Sequence, residues 1–234
     1  MVDPEIKDGM RFLIMSTRFV PQELHQDLAR AYALWKEVWE VAFKTELGVE
    51  GPLYSDNFSR QSHVAVLFNK NEPIVLTTLN TLNLNNTCDT DDSYFKVWPD
   101  LARAKLKKES KSIITCGNLA LNFNYRRGAL GVSGKDLIFY LLVKYLKYSQ
   151  FDSMVAAVRL EKGMDRAAYR TGAHSLMKNV PYTIPGQFVD LVSWSRDLSE
   201  EIIDPEIKSL ANWIWMNRSQ VVVREINQGE KNAA

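Results

Sequence analysis

Apolar residues recur at helical spacing in three long stretches of the chain. The first stretch begins after Pro21, a residue suited to the first turn of a helix, and ends near Gly48. The apolar positions along it are Leu24, Leu28, Ala31, Trp35, Val38, Trp39, Ala42 and Phe43. The same spacing recurs over Lys135–Lys147 and over Pro205–Arg218. We therefore predict three amphipathic helices, each with one face buried in a core.

Shorter apolar runs, rich in β-branched residues and bounded by polar turns, predict strands. These runs are Arg11–Phe19 (a strand or an extended lead-in), His63–Phe68, Pro73–Leu82, Ser112–Asn124, Asp152–Val158 and Phe188–Trp194. Two short helices are predicted between them, over Pro99–Lys108 and over Asp165–Thr171, where Gly172 ends the second. Strands that alternate with helices in this order indicate an α/β (α+β) fold, in which helices flank one mixed central sheet.

Length and charge limit the classes of protein that fit. A chain of 234 residues is long for one domain and short for two, so we expect a single domain over residues 1–234. The net charge of +1 argues against a nucleic-acid-binding surface, which needs a basic excess. No apolar run approaches the roughly 20 residues of a membrane helix, and the charged N-terminal segment lacks a secretory signal. We therefore expect a cytoplasmic protein with no integral membrane segment.

The residue types that usually mark metal or nucleophilic sites are sparse. Cys88 and Cys116 are too far apart to form a metal-ligand pair, and the three histidines show no ligand spacing, so no metal is expected. We expect both cysteines to be free thiols, with Cys116 in a buried strand. No GxSxG motif is present, so the sequence does not indicate a serine nucleophile.

A loop with glycines and basic side chains joins the strand at Ser112–Asn124 to the helix at Lys135–Lys147. Its glycines and basic residues are Arg126, Arg127, Gly128, Gly131, Gly134 and Lys135. Glycines at a helix entrance expose backbone N–H groups, and the helix dipole adds partial positive charge there. The loop is therefore a candidate site for an anion such as a pyrophosphate. The alternative is a tight strand-to-helix turn that happens to be basic.

The order strand, loop, helix, strand and short helix over Ser112–Ala173 resembles motifs A and B of the GNAT acyltransferases. The resemblance covers residues 62–194, which would form the core, with 195–234 as a helical extension and tail. It implies that Cys116–Phe123 is a bulged strand and that Asp152–Val158 diverges from it to admit a thioester. The donor would be an acyl-CoA or an acyl-carrier protein. The residues implied to hold it are Leu119, Ala120, Leu121, Arg126, Arg127, Gly128, Gly131, Val132, Ser133, Gly134 and Lys135.

Three candidate catalytic residues follow from this resemblance. Tyr169, in the segment similar to motif B, would protonate the leaving thiolate, although it stands three residues before Gly172 where the family has four. The bulged strand offers Asn118 and no carboxylate, so the base is either ordered water or a carboxylate from a loop, with Asp56 preferred. The further candidates for the base are Glu109, Glu161, His63 and His174.

The N-terminal half resembles the acyl-homoserine-lactone synthases and the related N-acyl amino acid synthases. The similar features are the aromatic helix around Trp35 and Trp39, Asp56 in the loop that follows, and the strand pair over His63–Leu82. Ser59 stands where that loop has a second aspartate, and the arginine expected late in the second strand is missing. This resemblance implies an acyltransferase and leaves a lactone product open.

Three functions remain in competition. The first is transfer of an acyl group from an acyl thioester to a small-molecule amine. A carrier protein is a possible donor, because its acidic surface would suit a basic helix at Arg103, Lys105, Lys107 and Lys108, although such a run of charge is also typical of a solvated helix face. The second is a non-catalytic domain that binds an acyl thioester or a protein partner, motivated by the missing strand carboxylate. The third is nucleotide binding by the glycine loop.

Overall fold

A mixed sheet forms the centre of the molecule. The computed structural model describes residues 4–48, 51–126, 130–183, 186–200 and 203–222. The strands of the sheet are β1 (Met10–Ser16), β2 (His63–Asn69), β3 (Glu72–Asn83), β4 (Ser112–Leu121), β5 (Ser153–Arg159), β6 (His174–Pro181), β7 (Phe188–Ser195) and β8 (Ser219–Val222). Their order across the described sheet is β6-β7-β5-β4-β3-β2-β1-β8.

Helices precede, connect and follow these strands. They are α1 (Pro4–Gly9), α2 (His25–Ala42), α3 (Asp56–Ser59), α4 (Thr87–Thr90), α5 (Asp100–Glu109), α6 (Gly134–Tyr148), α7 (Met164–Arg170) and α8 (Pro205–Arg218). The three long helices predicted from apolar spacing correspond to α2, α6 and α8. A π-helical turn, Phe43–Leu47, continues α2 and ends at Gly48, whose φ is 61°. The predicted α/β fold with a mixed sheet flanked by helices is confirmed.

The directions of the strands make the sheet mixed. Strands β1, β2, β3 and β4 pair antiparallel with one another in this order, and β7 pairs antiparallel with both β5 and β6. The central pair β4–β5 is parallel, with α6 as the connection between its strands, and β8 runs parallel to β1. The single parallel pair in the middle of the sheet therefore follows directly from the strand–loop–helix–strand order of residues 112–159.

Both faces of the sheet are covered. Because side chains alternate along a strand, the neighbours Leu13 and Ile14 of β1 belong to two different cores. The core around Ile14 contains α6 and α8, and the core around Leu13 contains α2. Residues Leu76 and Leu82, which share one face of β3, pack with α2 and with α5 respectively. Helices α2 and α5 therefore lie on the same face, opposite α6.

Two strands, β6 and β8, were not predicted. β6 is an edge strand whose buried hydrophobic residues are Leu176 and Val180, and its pairing with β7 shifts register twice. The left-handed residue Asn179, with φ of 53°, contributes to this irregularity. An edge strand with bulges does not show the strict alternation that sequence analysis requires.

The structure shows the environment of both cysteines. Cys116 is buried and Cys88 is exposed, and both are free thiols as predicted. Among the described helices, none is long and apolar enough to cross a membrane. The limits of the domain stay a prediction, since residues 223–234 lie outside the described part of the chain.

Glycine is required after α7, where the chain turns back to β6. Gly172 has φ of 92°, and a Cβ atom there would lie 2.5 Å from Cδ2 of Leu198. Gly48 is a matched position, since it also follows a helix with a positive φ of 61°, but a Cβ atom there would have no neighbouring atom within 4 Å. The two sites therefore separate the cost of a left-handed backbone from the cost of a clash.

We predict that Gly48→Ala lowers the free energy of unfolding by about 1 kcal/mol through backbone strain. Gly172→Ala is expected to lower it by a further ~1 kcal/mol or more, because the added methyl group overpacks against Leu198. Urea denaturation of both variants measures the difference. Equal losses would show that Leu198 moves away without cost.

A partly buried ion-pair cluster joins α6 to Glu200. The Glu200 carboxylate accepts hydrogen bonds from Lys144, at 3.0 Å, from Lys147, at 2.8 Å, and from the hydroxyl of Tyr140. Burial raises the pKa of this carboxyl, but the hydrogen bonds from Lys147, Tyr140 and Lys144 outweigh it and lower the pKa to about 2. The folded protein therefore stabilises the ionised form of the Glu200 side chain.

We predict that Glu200→Gln destabilises the protein at pH 7 by roughly 2 kcal/mol, a figure reduced for solvent screening of the pair. Because the folded pKa lies below the unfolded one, this stabilisation is complete above about pH 5 and disappears as the pH falls towards 2. Urea denaturation between pH 7 and pH 3 measures it. Glu40→Gln, which removes a surface carboxylate of α2, is the control. A difference from wild type that stays constant over this range would contradict the assignment.

Candidate active site

The two central strands separate partway along their length. β4 and β5 pair in parallel from Ile113 and Ser153 to Cys116 and Ala156. Beyond that point β5 continues to Arg159 beside β7, and β4 continues beside β3. A slot therefore opens through the middle of the sheet, on the carboxyl side of the last β4–β5 pair. This is the divergence that the family resemblance implied.

A bulge in β4 lies directly beside the slot. The pairing of β4 with β3 shifts register here, and Asn118 has φ of 52°, in the left-handed region that non-glycine residues seldom adopt. Its side-chain amide donates to the carbonyl of Asn57, at 2.9 Å, and to the hydroxyl of Thr78, at 3.1 Å. Its own carbonyl accepts a hydrogen bond of 3.2 Å from the indole N–H of Trp39. Three partners on three elements thus hold one strained residue in place.

Backbone N–H groups after the bulge face the slot. The N–H of Asn122 donates to the carbonyl of Ile74 on β3, at 2.9 Å. Because consecutive strand residues direct their N–H groups to opposite edges, the N–H of Leu121 faces away from β3, as does that of Leu119. Arg126 confirms the direction, since its guanidinium donates to the Leu121 carbonyl at 3.3 Å. The side chain of Ala120 is fully buried in the core beneath α2.

A cavity of about 1340 Å³ passes through the slot. It extends from the N-terminus of α6, on one side of the sheet, to the gap between the end of α2 and residues 92–97. Its apolar lining includes Val38, Trp39, Val41, Ala42, Val97, Leu119, Leu121, Phe139, Ala156, Val158 and Met164. Its polar lining includes Asp56, Asn57, Arg60, Thr77, Asn80, Asp92, Tyr94, Thr115 and Tyr182.

The entrance of α6 forms one wall of the cavity. Ser133 caps the helix by accepting a hydrogen bond from the N–H of Asp136, and Gly131 has φ of 72°. Gly134 permits close packing, because a Cβ there would lie 3.2 Å from Cδ1 of Leu121. The predicted donor-binding residues that line the cavity are Leu119, Leu121, Arg126, Gly131, Val132, Ser133, Gly134 and Lys135. Arg127 and Gly128 lie outside the described residues.

Two basic side chains, those of Arg126 and Lys135, belong to this wall. The guanidinium of Arg126 lies over the ring of Phe123, with 4.0 Å between the guanidinium carbon and the ring centroid. The ammonium of Lys135 donates to the carbonyl of Lys162, at 2.9 Å. Burial is the main cause that lowers the pKa of Lys135, and its cationic neighbours Arg166 and Arg170 lower it further, while Asp136 raises it. A desolvated ammonium beside a helix N-terminus favours the approach of an anion.

The structure brings two of the three candidate catalytic residues to the cavity. Asn118 and Asp56 line it, and Asp56 also pairs with Arg60 at 2.8 Å. Tyr169 is absent from the lining formed by the described residues. Its hydroxyl donates to Asp190 on β7, at 2.5 Å, and burial together with this hydrogen bond raises the pKa of Tyr169. The predicted role of Tyr169 as a general acid therefore has no support from its position.

The other candidates for the base lie elsewhere. Glu109 pairs with His174 at 2.9 Å, Glu161 binds Arg159, and the ring of His63 contacts Ser62 at 3.1 Å. Burial lowers the pKa of His63. None of Glu109, His174, Glu161 or His63 belongs to the described lining of the cavity.

Sequence analysis missed two carboxylates that do line the cavity, Glu46 and Asp92. Asp92 lay in a loop with no periodic pattern. Glu46 follows Ala42 by four residues, so it continues the buried face of α2, and a charged residue at such a position was a usable signal.

The thiol of Cys116 lies at the base of the slot. It lines the cavity, and burial raises its pKa well above the usual range. Because the thiolate is the nucleophilic form, this cysteine is not suited to covalent catalysis. The described residues contain no group of three or more His, Cys, Asp or Glu side chains that could hold a metal ion.

No protein-family model matches the sequence, and no curated protein matches it either. Solved structures do match. The CoA-dependent acyl-homoserine lactone synthase BjaI, with SAM and isopentyl-CoA, superposes with a TM-score of 0.59 over 91% of this chain and 93% of that chain, at 13% identity. The AHL synthase LasI gives 0.55 over 80% and 90%, at 15% identity. FeeM, an N-acyl amino acid synthase from uncultured soil microbes, gives 0.51 over 87% and 95%, at 14% identity.

The chain has the GNAT fold. The resemblance inferred from residues 62–194, and the second resemblance to the lactone and N-acyl amino acid synthases, are confirmed at the level of the backbone. At identities of 13–15%, the similarity concerns the path of the chain. The chemistry of this GNAT-fold protein must therefore be argued from its own cavity.

We predict that the strain at Asn118 can be measured with two substitutions. Asn118→Ala and Asn118→Gly both remove the side-chain hydrogen bonds, but glycine adopts φ of 52° at little cost. The alanine variant should therefore be less stable than the glycine variant by about 1 kcal/mol in urea denaturation. Equal stabilities would mean that the bulge relaxes once its side-chain contacts are lost.

Proposed function

We propose that the protein is an acyltransferase that moves an acyl group from an acyl thioester to an amine. The observation that carries the proposal is the slot between β4 and β5, which joins the bulge at Asn118 to the glycine-bearing entrance of α6 within one cavity. An acyl-CoA, like an acyl-carrier protein, has phosphate on its pantetheine arm and the reacting thioester carbonyl at the far end of that arm. The cavity offers an anion site and free backbone donors at matching positions.

The phosphate arm of the donor would lie at the entrance of α6. Backbone N–H groups at Gly131–Gly134 and the dipole of α6 attract anions, and Arg126 and Lys135 add formal positive charge. This arrangement suits the phosphates of CoA and also the single phosphate of a carrier protein's pantetheine arm.

The thioester carbonyl would then lie in the slot beside Leu119 and Leu121. Their N–H groups stabilise the negative charge that develops on the carbonyl oxygen when the amine nitrogen attacks the carbonyl carbon. The new C–N bond forms, the C–S bond breaks, and the thiolate takes up a proton as it leaves. The products are an amide and a free thiol.

The amine must lose a proton during this reaction, and Asp56 is our candidate for accepting it. The Asn57 carbonyl is bound to the side chain of Asn118, so α3 holds Asp56 next to the bulge. The Asp56 carboxylate is 57% exposed, which allows a water molecule to relay the proton.

The apolar lining of the cavity favours a long acyl chain. Its apolar wall along α2, with Val38, Trp39 and Ala42, faces the slot and provides a surface on which an alkyl chain is buried.

Calorimetric titration with CoA tests the donor site. Lys135→Ala should weaken CoA binding about tenfold, because it removes a charge-assisted contact to phosphate. Lys36→Ala is the matched control, since Lys36 pairs with Glu40 on α2 and does not line the cavity. Equal CoA affinity in wild type and Lys135→Ala would refute the phosphate position, and affinity for an acyl-carrier protein alone would identify the carrier as the donor.

Release of free thiol from acyl-CoAs of increasing chain length, in the presence of a panel of amines, tests turnover. We expect amide products by mass spectrometry, with rates that rise with chain length. Asp56→Asn should lower the rate by ~100-fold or more, with CoA affinity unchanged. Binding of CoA without product for any amine would favour the non-catalytic alternative.

A further inference from the structure

A cluster of charged side chains forms a wall of the cavity that the proposed mechanism does not use. Glu46, in the π-helical turn at the end of α2, accepts a hydrogen bond of 2.6 Å from Nη1 of Arg159, the last residue of β5. Its other carboxylate oxygen lies 2.6 Å from Nζ of Lys162. Arg159 also pairs with Glu161 at 3.0 Å. Glu46, Arg159 and Lys162 all line the cavity.

This wall connects the end of α2 to the entrance of α6. Lys162, which binds Glu46 through its ammonium group, also accepts a hydrogen bond from Lys135 through its carbonyl, at 2.9 Å. Lys135 belongs to the first turn of α6, at the proposed phosphate position. Lys162 therefore links Glu46 directly to the site at which the phosphate arm of the donor would bind.

Together with Lys135, the cluster holds more positive than negative charge. Lys135, Arg159 and Lys162 are cations, and the carboxylates paired with them are Glu46 and Glu161. No carboxylate of a described residue lies within ion-pair distance of the Lys135 ammonium. The side chains of Glu46 and Arg159 are each only 15% exposed, so water screens their attraction weakly.

Glu46 is ionised in this arrangement. Burial raises the pKa of its carboxyl, but the hydrogen bonds from Lys162 and Arg159 outweigh this effect and lower the pKa. The turn that carries Glu46 is π-helical, a rare geometry that is frequently found at functional sites. The carboxylate is thus an internal anion, carried on an irregular turn into a cationic part of the cavity.

We propose that Arg159 and Lys162 form a second anion subsite for a phosphate group of the acyl donor, and that Glu46 occupies this subsite as an internal counter-ion in the free protein. The inference rests on the proposed function, because it takes the donor's phosphates to bind beside α6. A phosphate displaces the Glu46 carboxylate, and the end of α2 is then released from β5.

Titration calorimetry with two probes, CoA and pantetheine, tests this competition. Glu46→Gln should bind CoA about fivefold more tightly than wild type, since the internal competitor loses its charge. Pantetheine, which has no phosphate, should bind both proteins equally. Glu40→Gln is the matched control, because it removes the same charge from α2 at a position outside the cavity.

A second substitution tests the subsite itself. In the Glu46→Gln background, Lys162→Gln should weaken CoA binding about fivefold and leave pantetheine binding unchanged. A loss for both ligands would indicate a general disturbance of the cavity and would contradict the subsite.

The outcomes separate this inference from the proposed function. Equal CoA affinity in wild type and Glu46→Gln would overturn the inference alone, as would an equal gain for pantetheine. CoA binding by Glu46→Gln but not by wild type would support it strongly. Failure of both proteins to bind CoA would overturn the inference, and it would overturn the phosphate position beside α6 as well if an acyl-carrier protein also failed to bind.

Discussion

A central strand of a sheet needs hydrogen-bond partners on both edges, and β4 has them on only one edge beyond Cys116. Backbone donors without partners are costly when buried, so such an opening persists only where the surrounding structure enforces it. Here α2 and β3 enforce it through Trp39 and Thr78, which bind the left-handed residue Asn118. The cavity, the candidate donor site and the proposed chemistry all depend on this interruption of one parallel pair.

The sequence predicted the helices well because their apolar faces are long and regular. Helices α2 and α8 each bury one stripe, and such stripes repeat every three to four residues in the sequence. Helix α6 is instead buried on all sides from Leu137 to Val143, because it packs against the sheet, α7 and α8. The predicted strands correspond to β1–β5 and β7, because each of these strands is an apolar run bounded by polar turns. Strand β6 was missed because an edge position with two register shifts imposes no regular pattern on its side chains.

The candidate site was predictable in outline and not in detail. A glycine-bearing loop between a strand and a helix indicated the entrance of α6, but a left-handed asparagine in a strand has no signature in the sequence. Tyr169 was nominated from the resemblance of its segment to motif B, whereas its hydroxyl donates to Asp190, 21 residues away. Glu46 and Arg159, separated by 113 residues, meet only because the π-helical turn after α2 lies beside the end of β5. Contacts of this kind depend on tertiary packing, which no local pattern encodes.

The polarising groups proposed for this site belong to the main chain at Leu119 and Leu121. Every residue except proline carries an N–H group, so a site built in this way constrains the path of the strand and leaves the choice of side chains nearly free. Evolution can then replace most residues around the slot without altering the groups that line up beside it. Under that freedom, a backbone can remain superposable on BjaI at 13% identity while its sequence matches no family model.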